Sequence, residues 1–171
     1  PYMEHLCQQT GASVVLSFCE GGSVITLDQA ETGNGLRVVS EIGARLPIYC
    51  TSQGKVFLAH MPRSSAETVL RSQSMTQVTP HTVTDIPALM QEIDRCRADG
   101  YAVENGEYRI GLRSVSAPVY TVEGQARYAV SVIGMLRSVQ SDAFRTTIDE
   151  VCAAAAMISA ALGYRKKEEK P

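Results

Sequence analysis

The sequence predicts an α+β domain in which an antiparallel sheet is flanked by helices. Three observations carry this expectation. β-branched runs come in pairs joined by glycine-bearing turns, at Glu20-Gly21-Gly22-Ser23 and again at Thr121-Val122-Glu123-Gly124. Asp142 to Leu162 reads as one long helix, with Phe144, Ile148, Val151, Ala155, Ile158 and Leu162 stepping by three and four along a single apolar stripe. The order along the chain is helix, strands, helices, strands, helix, and no linker is long enough to divide its 171 residues. A chain of about 150 residues buries about 70% of its unfolded surface, so one core suffices.

Each element has a local reason. Pro1 to Gln9 reads as a short helix stopped by Thr10-Gly11, followed by strands over Ala12 to Cys19 and Val24 to Leu27. Leu36 to Val39 predicts a third short strand, and the Leu46-Pro47-Ile48 run leads into a helix from Thr51 to His60. Thr51 or Ser52 can accept hydrogen bonds from the first-turn amides of that helix. Asp85 to Arg97 is amphipathic: Ile86, Leu89, Met90, Ile93 and Cys96 share a face, Pro87 sits in the first turn and Gly100 ends it. Tyr101 to Glu104 leads into the Asn105-Gly106 turn, and Leu112 to Tyr120 and Gln125 to Ile133 are the remaining strands. The stripe of the last helix fits packing on the sheet, with a helix–helix dimer seam as the alternative. Gly163 is placed to end that helix, Arg165-Lys166-Lys167 complements its dipole, and residues 166–171 form a frayed charged tail after a domain spanning 1–165.

Composition excludes several functions. Sixteen Lys and Arg against eighteen Asp and Glu give a net charge of −2, which argues against nucleic-acid binding by this chain, since phosphate affinity rests on concentrated cations. Five cysteines, odd in number and without a C-x-x-C pair, disfavour a disulfide framework or a zinc site and fit a reducing, cytoplasmic setting. No apolar run reaches the length of about 20 residues that a membrane span needs, and no signal peptide is visible. The chain opens on Pro1 rather than a methionine, as a fragment of a longer protein would. His5, His60 and His81 show no metal-ligand spacing, so no metal or other cofactor is expected. Thr51-Ser52-Gln53-Gly54-Lys55 resembles part of a phosphate loop, but Tyr49 and Val56 occupy positions where that loop needs Gly and Ser or Thr. No G-x-S-x-G elbow surrounds any serine. What survives is the start of the Thr51 helix, where first-turn amides can receive a carboxylate or phosphate, with a helix that merely caps itself through Thr51 as the equal alternative.

Three stretches together carry a family resemblance. Gly43-Ala44-Arg45-Leu46-Pro47-Ile48-Tyr49-Cys50-Thr51-Ser52-Gln53-Gly54-Lys55-Val56-Phe57-Leu58-Ala59 resembles the G-x-x-x-P-L-x-x-T/S-x-x-G-K-x-x-L-A signature of the IclR-family transcriptional regulators. Gly100 to Tyr108, followed by Gly111 to Val119, is similar to that family's second signature, and Gly124 through Gly134, with Ala129-Val130-Ser131, to its third. The resemblance covers the family's C-terminal effector-binding domain, and it implies a GAF-like fold. It also implies that an N-terminal winged helix-turn-helix, missing here, contacts operator DNA, and that the protein works as a homodimer or homotetramer. This chain would then be a non-enzymatic sensor of a small organic-acid effector.

The resemblance also nominates a site. It places Ser52 and Gln53 against the ligand, with Glu104 as the acidic residue after the G-Y-A stretch. Ser114 stands where the family often has Cys; of two serines in the third stretch, Ser131 is retained and the second is Ile133. Leu36, Val38, Leu46 and Leu112 would supply apolar walls. Ile133 and the longer carboxylate of Glu104 argue against a glyoxylate-like ligand. Lys55 is a tempting carboxylate partner, although a first helical turn disfavours a cation. The competing readings are a GAF-like enzyme using one cysteine and an oligomerisation module with a vestigial pocket.

Overall fold

A computed structural model of the chain describes residues 1–31 and 41–165. The expected strand Leu36–Val39, the wall residues Leu36 and Val38, and the tail 166–171 lie outside the described residues. Five helices and six strands follow one another as α1 (Tyr2–Thr10), β1 (Ser13–Glu20), β2 (Ser23–Ala30), β3 (Arg45–Pro47), α2 (Ser52–Ala59), α3 (Arg63–Ser72), α4 (Ile86–Asp99), β4 (Ala102–Asn105), β5 (Arg113–Tyr120), β6 (Ala126–Gly134) and α5 (Asp142–Ala161). The strands form one sheet in the order β3-β2-β1-β6-β5-β4, with every neighbouring pair antiparallel. The α+β reading therefore holds.

Local signals act as the sequence implied. Gly21 and Gly22, at φ 59° and 74°, make the two-residue turn that pairs Glu20 with Ser23. Helix α1 ends on Gly11 and α4 on Gly100, both left-handed, and α4 is capped at its start by Asp85, whose carboxylate accepts from the Ala88 amide. Helix α3 had no counterpart in the sequence reading. It buries only Ala66 and Leu70 of its ten residues, so its apolar stripe is too thin to stand out.

The two faces of the sheet are covered by different layers. On one, Val14, Val130, Val132, Val115, Ala117 and Val119 pack with α1 and with Phe144, Val151, Ala154 and Ala155 of α5. The stripe of α5 thus packs on the sheet as expected, except that Leu162 is 44% exposed while Ser159 is buried. Ser159 Oγ accepts from the Tyr120 amide at 2.9 Å and donates to the Ala155 carbonyl at 2.7 Å, tying α5 to β5. On the other face lie α2, α3 and α4, whose Val56, Leu58, Ala66, Leu70, Leu89 and Ile93 are fully buried with Ala102 and Ala129 beneath them.

Helix α2 has every residue buried, including the polar Ser52, Gln53 and Lys55. Its docking depends on Gly54, where an added Cβ would lie 1.9 Å from the Ile48 carbonyl oxygen. Alanine normally favours a helix over glycine by about 1 kcal/mol, but here the obstacle is backbone and cannot rotate away. Gly54→Ala is expected to lower stability by about 3 kcal/mol, read as a shifted denaturation midpoint at unchanged slope. Phe144→Ala, which empties a position 1% exposed in the opposite layer, is expected to cost about 3 to 5 kcal/mol in the same measurement.

Candidate functional site

The chain turns sharply before α2 and is bracketed there by one hydroxyl. Thr51 Oγ1 donates to the Pro47 carbonyl at 2.8 Å and accepts from the Gly54 amide at 3.2 Å, so it joins the end of β3 to the first turn of the helix. The Lys55 amide closes on the Thr51 carbonyl. The amides of Ser52 and Gln53 precede the first intrahelical bond, as helix geometry requires, and both residues are at most 2% exposed. The side-chain amide nitrogen of Gln53 is also buried, with no hydrogen-bond partner among the described residues. Three donors thus converge on one end of α2.

Beneath them the sheet is polar. Strand pairing sets Glu104, Ser114, Ile133 and Ser13 in one row across β4, β5, β6 and β1, and Ala102, Ser116, Ser131 and Val15 in the next. Ser52 Oγ lies 2.7 Å from Ser114 Oγ and 2.6 Å from Ser116 Oγ, and Ser116 Oγ lies 2.7 Å from Ser131 Oγ. All four serines are at most 3% exposed. Ser17 on β1 is fully buried, and no partner reaches its hydroxyl among the described residues. Burying an unpaired hydroxyl costs about 1 to 3 kcal/mol, which a core built for stability alone would avoid.

Glu104 anchors one end of the serine chain. Its Oε2 accepts from Ser114 Oγ at 3.2 Å, and its Oε1 accepts from the amides of Glu107 and Tyr108. Burial pushes its carboxyl above the ordinary range; the two amides and Ser114 pull it back, and the Glu107 charge adds to the rise. Glu107 in turn holds Lys55, whose Nζ lies 2.6 Å from Glu107 Oε1 and 2.7 Å from Glu92 Oε2. Burial alone would lower the ammonium's pKa, but the two carboxylates outweigh it and keep it raised. Because Lys55 is shared with Glu92, it does not fully offset the burial of Glu107, whose carboxyl is also raised. A cavity of about 280 Å3 reaches this ion group from the α4–β4 side. A larger one of about 770 Å3 lies elsewhere, between α1, β2 and α5, and none of the hydrogen-bonded serines or Glu104 lines it.

The structure therefore joins Ser52, Gln53, Glu104, Ser114 and Ser131 of the expected site in one hydrogen-bonded chain. Ile133 is half-buried on the same face, two residues beyond Ser131 and paired with Ser114. Leu46 and Leu112 sit apart from that chain. Leu46 pairs with Val24 at the β3 edge and packs into the α2–α4 core, while Leu112 lies in the turn before β5, where its carbonyl accepts from the Gly106 amide. Lys55 faces the protein's own carboxylates, which is why a cation is tolerated in a first helical turn. Sequence reasoning missed Ser116, Ser17 and Glu107. The two-residue alternation from Ser114 puts Ser116 on the same face, a signal that was present; Ser17 and Glu107 needed the tertiary fold. Among the described residues, no group of three His, Cys, Asp or Glu side chains could hold a metal ion.

Comparison with known proteins bears on the family and the fold. Residues 1–160 match the family model of the bacterial transcriptional regulator IclR C-terminal domain. The HTH-type transcriptional regulator BhcR of Paracoccus denitrificans (strain Pd 1222) is 31% identical over 97% of this chain and 60% of its own length. The HTH-type transcriptional repressor AllR of Klebsiella pneumoniae is 28% identical over 99% of this chain and 62% of its own. The chain thus spans about three fifths of the length of these relatives. The Thermotoga maritima IclR structure superposes with a TM-score of 0.88 at 29% identity, covering 95% of this chain and 66% of that one. The fold is also shared, at a TM-score of 0.83 and 21% identity, by a double mutant of the PobR inducer-binding domain from Acinetobacter in complex with 3-hydroxybenzoic acid; the match covers 92% of this chain and 93% of that one. The fold, the signatures around α2 and β4–β6, and these matches agree: the chain belongs to the IclR family of transcriptional regulators, as their C-terminal domain.

Proposed function

We propose that this domain, spanning residues 1–165, senses a small organic acid for a cytoplasmic transcriptional regulator. The observation that carries the reading is the set of buried donors at the start of α2, namely the Ser52 and Gln53 amides and Gln53 Nε2, set over buried serines. A carboxylate supplies the acceptors that these donors need and meets the positive end of the helix dipole. The PobR domain is in complex with 3-hydroxybenzoic acid, which carries such a carboxylate.

In this reading the intact protein is a homodimer or homotetramer and touches operator DNA through a separate N-terminal domain. Ligand controls transcription only through a difference in its affinity for two subunit arrangements. The thiol-enzyme alternative finds no support in the cysteines. All five are free, and burial raises every one of them, Cys50 and Cys96 to about 12, so none is poised as a thiolate near neutral pH.

Two measurements test the reading. A thermal-shift panel of small carboxylates, hydroxy acids and sugar acids is expected to contain at least one that raises the melting temperature by roughly 5 to 11 °C at 100 times its dissociation constant. A flat response across all acid classes would remove the sensing reading and leave the oligomerisation module. Alkylation of the reduced protein near pH 8 is expected to be slow at all five cysteines; one fast site would revive the thiol enzyme.

A further inference from the structure

Resting on the acid-sensing reading above, we propose that the site takes up its carboxylate ligand together with one proton, which lands on Glu104 and reverses the hydroxyls of Ser114, Ser52, Ser116 and Ser131.

Counting protons along the chain leads there. An ionised Glu104 only accepts, so Ser114 spends its single O–H proton on Glu104 Oε2. The 2.7 Å contact between Ser52 and Ser114 must then be filled by the Ser52 proton, in preference to the longer 3.4 Å contact with Gln53 Oε1. Ser116 has to donate to Ser52 across 2.6 Å, and Ser131 to Ser116 across 2.7 Å. All four protons point toward Glu104, and Ser131 ends the chain with lone pairs alone. With all four protons spent inside the chain, none is left for a carboxylate set over the serines.

Charge says the same thing independently. Glu107 and Glu92 share one ammonium, Lys55, and Glu104 lies beside Glu107, so with its carboxyls ionised the group carries 1 − 3 = −2 before any acid enters. A buried anion brought beside it is the situation in which two carboxylates share one proton. Protonating Glu104 relieves both problems. Its new O–H donates to Ser114, and each hydroxyl turns about its Cβ–Oγ bond to donate one step further along. Ser131 is left donating outward. One proton enters from solvent onto a Glu104 oxygen, every serine keeps its own, and no bond between heavy atoms changes.

The surroundings permit this. Glu104 is faced by Glu107 in the turn after β4, by Lys55 from α2 through Glu107, and by Glu92 from α4 through Lys55. The nearby Cys50 thiol, raised to about 12, stays neutral. The His81 ring lies against Gly106, and Arg113 is turned toward Asn105 and the Leu136 carbonyl. Burial already holds the Glu104 carboxyl above its ordinary value, which shortens the step to the protonated form.

The test uses acetate, glycolate, glyoxylate, pyruvate and 3-hydroxybenzoate as probes, by thermal shift and titration calorimetry between about pH 5 and pH 8. For an acid that binds, the wild-type dissociation constant is expected to rise toward tenfold per pH unit above the Glu104 titration. Calorimetry in buffers of different ionisation heat is expected to report uptake of about one proton per ligand. Glu104→Gln keeps an N–H donor facing Ser114, so it should bind the same acid with a flat pH profile and no proton uptake. Ser116→Ala, which cuts the chain and frees the Ser131 hydroxyl, should reduce the slope, with the melting temperature lowered by the few degrees that an unpaired buried hydroxyl implies. Wild-type binding that is independent of pH and takes up no proton overturns the proposal and leaves the acid reading standing. If none of the probes binds to wild type or to Glu104→Gln at any pH, the acid reading falls and the proposal with it.

Discussion

Helix α2 approaches the Ile48 backbone more closely than any side chain permits, and much of the molecule follows from that approach. Gly54 makes the contact sterically possible, and the Thr51 hydroxyl fixes it by joining the Pro47 carbonyl to the Gly54 amide. With the helix pulled down in this way, its first turn is buried rather than solvated. Donors that would ordinarily be satisfied by water are held against the sheet, and Lys55 is carried to a place where only carboxylates can stabilise it.

The two faces of one sheet show what such a helix demands. The face under α1 and α5 is an ordinary core of valines and alanines. The face under α2 replaces that pattern at its centre with Ser114, Ser116, Ser131 and Ser17, flanked by Glu104. Isolated buried hydroxyls weaken a fold, whereas a continuous chain of them recovers most of the cost by mutual hydrogen bonding. The Ser17 hydroxyl and Gln53 Nε2 stand outside that mutual bonding, with no hydrogen-bond partner among the described residues.

The fold was legible where a local rule decided it. Gly21-Gly22 forced a tight hairpin, Asp85 and Gly100 bounded α4, and the three-four spacing of α5 announced its sheet-facing stripe. It was missed in α3, whose amphipathic stripe is only Ala66, Val69 and Leu70 in an otherwise polar segment. The site divides similarly. Ser52, Glu104, Ser114 and Ser131 were reachable only because three signatures resembled a family, since sequence separations such as the 62 residues between Ser52 and Ser114 hide a cluster held together by hydrogen bonds. Ser116 could have been added from strand alternation alone. Glu107 could not, because its role depends on a backbone amide folding back onto Glu104 while its side chain reaches another helix.

The strand order has a consequence for how the domain comes into being. β1 and β6, the first and the last of the six strands in chain order, lie side by side at the centre of the sheet. Until β6 is available, β1–β3 and β4–β5 are two separate half-sheets, each with an unpaired inner edge open to other chains. Closing the sheet joins residues more than a hundred positions apart, a slow kind of step. The serine chain spans both α2, which belongs to the first half of the chain, and β5–β6, which belong to the second. Nascent chains that have not yet released β6 therefore have neither a closed sheet nor the buried serine chain that crosses its central seam.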